Sequence, residues 1–168
     1  MSPRTLMVLA FASFLGGCFR SESPLFDAAR GACPFETPAS YQEIDATERL
    51  VFEADGPYCR ITNATGTVSR SLFVAIGGDW WIVQDKQQRP TYGLMHLEGA
   101  RLAQFTPRCA DFSPARLRSL GVAFDKDRTV CTADRAEQIE TLFRSWPSPL
   151  RQAANEYQRI PDPHQQTN

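Results

Sequence analysis

Between residues 50 and 105 the sequence is a series of short apolar runs, each closed by a turn signal, and this pattern restricts the fold more than any other feature. Leu50-Val51-Phe52 and Tyr58 to Ile61 flank Asp55-Gly56-Pro57, the mark of a first hairpin. Val68 to Ile76 runs into Gly77-Gly78-Asp79, whose glycines permit the positive φ angles of a tight turn, and Trp80-Trp81-Ile82-Val83 begins the next strand. Asp85 to Pro90 reads as a polar loop, Tyr92 to Leu97 as a strand, Glu98-Gly99 as a turn and Arg101 to Phe105 as a returning strand. Short strands joined by tight turns predict an antiparallel meander.

The last third changes period. Ser113-Pro114, then Ala115 to Leu120 and Gly121, supplies a cap, a proline at the first helical position and a terminating glycine. Val122 to Asp125 and Thr129 to Cys131 around Lys126-Asp127-Arg128 predict a small hairpin. Ala136, Ile139, Leu142, Phe143 and Trp146 then recur at helical spacing, with Asp134 placed to cap, Glu137 three residues on and Pro147 as the stop. That stripe needs an apolar partner, and the open face of the meander is the large candidate; a stripe ending in Trp146 also suits a partner-binding face. The expected fold is therefore α+β or mainly β: an antiparallel meander sheet, curled toward a small barrel, covered by one amphipathic C-terminal helix. Ser148-Pro149 predicts one more short helix through Tyr157, and Pro161 to Asn168 reads as a disordered tail.

The first forty residues read differently. Arg4 precedes an apolar run from Leu6 to Leu15, broken only by Ser13 and too short to span a bilayer, which takes about 20 residues. The run ends in Leu15-Gly16-Gly17-Cys18. This resembles the lipobox of bacterial lipoproteins, in which an aliphatic and two small residues precede the cysteine that receives diacylglycerol. The resemblance implies a signal peptide over 1–17, cleavage before Cys18, and a membrane anchor of diacylglycerol and palmitate-type acyl chains on that residue. Two or three chains hold a protein essentially permanently, since each buried methylene adds about 0.8 kcal/mol. An ordinary secretory signal with a soluble product is the alternative. Phe19 and Arg20 follow the cysteine, with no aspartate of the kind that retains enteric lipoproteins in the inner membrane, so the outer membrane is the favoured side of the envelope. Residues 18–40, rich in Ser, Pro, Ala and Gly, read as a tether and irregular entry to a domain over 41–147.

Four cysteines remain: Cys33, Cys59, Cys109 and Cys131. An even number in an exported chain suits two disulfides, and no pair has Cys-x-x-Cys spacing, which leaves a thioredoxin-like site or zinc ribbon unsupported. Three pairings are open; proximity favours Cys33 with Cys59 and Cys109 with Cys131, each worth roughly 3 kcal/mol if unstrained. Cys33-Pro34-Phe35 and Cys109-Ala110-Asp111-Phe112 echo one another, as do Phe52 before Cys59 and Phe124 before Cys131; duplication and chance both account for this.

Signals for chemistry are sparse. The formal net charge is −1 and the sixteen arginines are scattered, so no nucleic-acid footprint is present. His96 and His164 are the two histidines, and a Ser-His-Asp site would have to use His96 without a Gly-x-Ser-x-Gly turn. His96-Leu97-Glu98 offers one metal ligand without a spaced partner, so neither a metal nor any other cofactor is expected. Asp79, Asp85, Glu98 and Asp111 flank strands and read as turn and loop carboxylates. Gly77-Gly78 lacks the lysine of a phosphate loop, and Asn63-Ala64-Thr65 forms a glycosylation sequon that a bacterial envelope would leave idle. The unusual feature is Trp80-Trp81: adjacent strand residues face opposite sides, so one enters the core while the other meets solvent, the helix or a ligand. With Tyr92 nearby, Trp80 and Trp81 suggest an aromatic binding platform, and a sheet buried on both faces accounts for the pair as simply. The expectation is a non-enzymatic, lipid-anchored envelope module that binds a periplasmic or surface protein or polymer. A small hydrolase, or an inhibitor of one, is the alternative. Lipoprotein lysozyme inhibitors are similar in being stapled β-domains, but their Ser-Gly-x-x-Tyr motif is missing here.

Overall fold

The computed structural model describes residues 19–35, 38–86, 88–146 and 153–161. The expected signal peptide, Cys18, residues 148–152 of the expected short helix and nearly all of the expected tail lie outside them. In chain order the elements are β1 (Phe19–Arg20), β2 (Ala39–Glu43), β3 (Arg49–Asp55), β4 (Tyr58–Asn63), β5 (Val68–Gly77), β6 (Trp80–Asp85), β7 (Tyr92–Glu98) and β8 (Arg101–Phe105), then α1 (Pro114–Ser119), β9 (Ala123–Phe124), β10 (Cys131–Thr132), α2 (Ala136–Arg144) and β11 (Asn155–Ile160).

The protein is mainly β. Strands β2 to β8 pair with their sequence neighbours in an antiparallel meander, and β11 closes an eight-stranded barrel by lying between β8 and β2. Tyr157 is opposite Leu102 on one side and Glu43 on the other. The turns are those the sequence marks: Gly77 and Gly78 both have positive φ, at 107° and 58°. Gly77 also follows a register shift between Ala75 and Gly77.

Strand alternation sends one set of residues into the lumen. Tyr41, Phe52, Ile61, Phe73, Met95 and Tyr157 form a single buried cluster there, as expected of eight strands, whose interior is just wide enough for side chains to fill. Phe35 joins them from the segment before β2, its ring 4.5 Å from that of Phe52. The outward set differs around the barrel. On β5 to β8 it is apolar, with Val74, Ile76, Ile82, Leu94 and Phe105, and it is covered. On β3 and β4 it includes Arg49, Glu53 and Arg60, left at least partly exposed.

The cover is not a single helix. Ile139, Leu142 and Phe143 of α2 share the outer cluster with Leu117 of α1, Phe112, Cys131, Phe19 and Phe26. A three-stranded sheet, β1-β10-β9, is part of this layer. Most of the cover comes from the excursion between β8 and β11, the rest from the residues before β2. The sequence reading credited the stripe of α2 with the whole task because nothing marked the short strands as partners.

Helix starts are set locally. Ser113 caps α1 by accepting from Arg116 N at 3.2 Å. At α2 the cap is not Asp134. The Gln138 side chain accepts from Asp134 N at 2.9 Å and Arg135 N at 3.1 Å, while donating to Leu120 O at 3.0 Å. One buried amide thus ties the start of α2 to the end of α1.

Residues 19–35 do not form a free tether. Phe19 is fully buried and Ser21 and Phe26 are 2% exposed. Gln84 on β6 accepts from Leu25 N and Phe26 N, each at 3.0 Å, and donates to Phe26 O at 3.0 Å. The strap then crosses the barrel where Gly31 is required: a Cβ there would lie 2.1 Å from Leu72 Cδ1. Ala32 N donates to Phe73 O at 2.9 Å. Likewise Asn155–Ile160 is strand and not the end of a helix, because it closes the barrel between β8 and β2; the start of the expected helix at Ser148-Pro149 lies outside the described residues.

Disulfides join Cys33 to Cys59 and Cys109 to Cys131, with Cα separations of 5.1 and 5.4 Å. The first fastens the strap at the lumen, the second lies in the outer layer. The two echoing segments therefore have different structures: Phe52 is a lumen residue on β3, whereas Phe124 sits half-buried in β9 against the outer layer.

Candidate functional site

The two tryptophans separate as alternation requires. Trp81 turns toward the lumen cluster and Trp80 outward to the covered face. Trp80 is opposite His96 across the β6–β7 pair, and their rings stack with centroids 4.5 Å apart and planes 23° from parallel. Phe105 follows at 5.2 Å from Trp80, and Trp146 meets Phe105 edge-on at 5.6 Å. Four rings from β6, β7, β8 and the end of α2 thus form a continuous aromatic wall.

Beside that wall lies a cleft of about 390 Å³, lined by Ile76, Gly77, Trp80, Leu94, Phe143, Arg144 and Trp146. Its size falls within the usual range for small-molecule sites, roughly 300 to 1,000 Å³. Its charged residue is held in place: Arg144 Nη1 donates to Ile76 O and Nη2 lies 3.8 Å from Glu140. Glu140 in turn pairs with Arg30 of the strap at 2.7 Å. Trp146 Nε1 donates to Asp111 Oδ2 at 3.2 Å, so that indole is oriented by a carboxylate. The same carboxylate accepts from Arg108 N at 2.8 Å. Flat apolar surfaces with a fixed cation at the edge suit the stacking of a sugar ring or the seating of an apolar side chain.

Tyr92 does not belong to this site. It is fully buried, bonded to Ser21 Oγ at 2.6 Å and to Leu25 N at 3.2 Å. Burial pushes its hydroxyl pKa up, against the bonds from Ser21 and Leu25. Of Trp80, Trp81 and Tyr92, the structure places Trp80 alone in the cleft. Trp146, whose place at the end of the α2 stripe suits helix packing and also a partner-binding face, does both: it packs on Phe105 and lines the cleft. Arg144 is a lining residue that no sequence signal marks.

The other candidates have structural positions. His96 forms the outer layer of the stack on Trp80. Asp85 is buried, accepts from Thr91 N at 2.7 Å and Thr91 Oγ1 at 2.8 Å, and so pins the β6–β7 loop. Its carboxyl pKa is raised, with burial the largest cause. Asp79 and Glu98 are both exposed, beside the β5–β6 and β7–β8 turns, and Asp79 is held through its backbone oxygen, which accepts from Leu97 N at 2.9 Å. Asn63 of the sequon accepts from Thr65 N at 3.1 Å and Thr67 N at 2.8 Å, holding the β4–β5 turn. Among the described residues, no three His, Cys, Asp or Glu side chains gather where they would hold a metal, and no helix is long and apolar enough to cross a membrane.

Compared with protein-family models, curated proteins and solved structures, the chain matches none.

Proposed function

We propose that the protein is a lipid-anchored module of the bacterial cell envelope, attached through Cys18, which binds a protein or polymer segment in the cleft between Trp80 and Trp146. The observation that carries the binding reading is the cleft itself: two indoles, an arginine and a glycine wall at the covered barrel face. The compartment rests on the Leu15-Gly16-Gly17-Cys18 pattern, and the pairing of all four other cysteines agrees with an oxidising environment. Attachment favours the outer membrane, with the domain in the periplasm or at the surface.

The test is tryptophan fluorescence of the purified full-length protein during titration with peptidoglycan fragments and with envelope-derived peptides. A saturable change that Trp80→Ala and Trp146→Ala both abolish, with the barrel still folded by circular dichroism, supports the reading. No binding, together with hydrolysis of a common envelope substrate that His96→Ala removes, replaces it with catalysis.

A further inference from the structure

Phe19 immediately follows Cys18 in the chain, and it is completely buried. Its ring contacts Phe112 and Phe143 at 5.6 and 5.4 Å, and its backbone belongs to a parallel pairing with Cys131. The next residues are held as firmly: Ala133 N donates to Arg20 O at 2.9 Å and Ser21 N donates to Pro90 O at 3.2 Å.

We infer that the domain rests flush on the lipid headgroups, with the β9–β10 turn against the bilayer, and is not held off it by a linker. The inference rests on the lipid-anchored reading of Cys18. Consecutive Cα atoms are about 3.8 Å apart, so an acylated Cys18 stands one residue step from a packed core residue. Since β1 and β10 are parallel with Phe19 opposite Cys131, the chain enters the domain on the side of residues 125–130.

That turn is a rigid element. The Asp125 carboxylate accepts from Thr129 N at 2.7 Å and Val130 N at 3.2 Å. Arg128 Nη1 donates to Phe112 O at 2.8 Å, fastening the turn to the body. Lys126 and Arg128 balance Asp125 and Asp127, so the surface is compatible with headgroups without depending on anionic lipid, and orientation follows from the anchor alone. The docking also places the cleft. Phe143, which touches Phe19, is one of its walls, so its ligand is a segment lying close to the membrane surface.

The sequence has two lysines, Lys86 and Lys126, and the second reports on the turn. Full-length lipidated protein on phosphatidylcholine vesicles is treated with a water-soluble amine-acylating reagent. A variant with about twelve Gly and Ser residues inserted between Cys18 and Phe19, a coil spanning roughly 20 Å, is treated in the same way. The rate at Lys126 is expected to be several-fold lower in the natural chain than in the insertion variant. Equal rates, with both proteins floating with the vesicles, overturn the docking while leaving the anchor intact. Failure of the natural chain to float overturns the lipid reading and the docking with it.

Discussion

The outside of the barrel has two faces that differ in kind. Along β5 to β8 the outward residues Val74, Ile76, Ile82, Leu94 and Phe105 lie under two helices, a small sheet and the N-terminal strap. On β3 and β4 they include Arg49, Glu53 and Arg60, which remain in contact with water. The inward positions form one largely apolar cluster drawn from both sides. Alternation therefore builds the same lumen all round, and it is the outward half of each strand that decides where the rest of the chain must go. The cleft lies on this covered side, with Gly77, Trp80 and Trp146 in its lining.

The difference can be broken most directly at Gln84, an outward polar residue on the covered face. Gln84→Ala removes three hydrogen bonds to Leu25 and Phe26. Each buried backbone group left without a partner costs about 1–3 kcal/mol; partial rehydration of the strap reduces the sum, and a loss of about 4 kcal/mol in urea unfolding is expected. The Cys109→Ser, Cys131→Ser pair should cost roughly 3 kcal/mol for its loop, and should lower protection from hydrogen exchange in the cover more than in the lumen strands.

Asp85 sharpens the contrast from the inside. Because burial raises its folded pKa above the unfolded value, the folded state holds the proton more tightly. Its contribution to stability therefore falls as pH rises from the ordinary carboxylate range through the raised value. Asp85→Asn should abolish this step in urea midpoints measured across the acidic range. The smallest effect belongs to the open face: Glu53→Ala breaks the exposed pair with Arg60 and should change stability by no more than about 0.5 kcal/mol. A loss of several kcal/mol there would show that this face is covered too.

The sequence made β3 to β8 legible because each carries its own apolar run and its own turn residues. The positive φ at Gly77 and Gly78 and the Ser113 cap of α1 were legible for the same local reason. What escaped depends on distant partners. β11 offers a single large lumen residue, Tyr157, and is strand because β8 and β2 flank it. The strap looks like linker by composition, yet Phe26 is held by Gln84, 58 residues away. The site was half legible: Trp80 and the Trp146 end of the α2 stripe stood out, but Arg144 joins them only where the docked α2 brings it to Ile76 O, a distant partner that no local pattern encodes.

The lipid anchor and the two staples proposed for this barrel are tested together by the intact mass of the protein from the membrane fraction, before and after reduction. The account predicts a chain beginning at Cys18, heavier by its acyl groups, that gains two hydrogens for each of its two disulfides on reduction. An unprocessed chain whose mass does not change on reduction would contradict it.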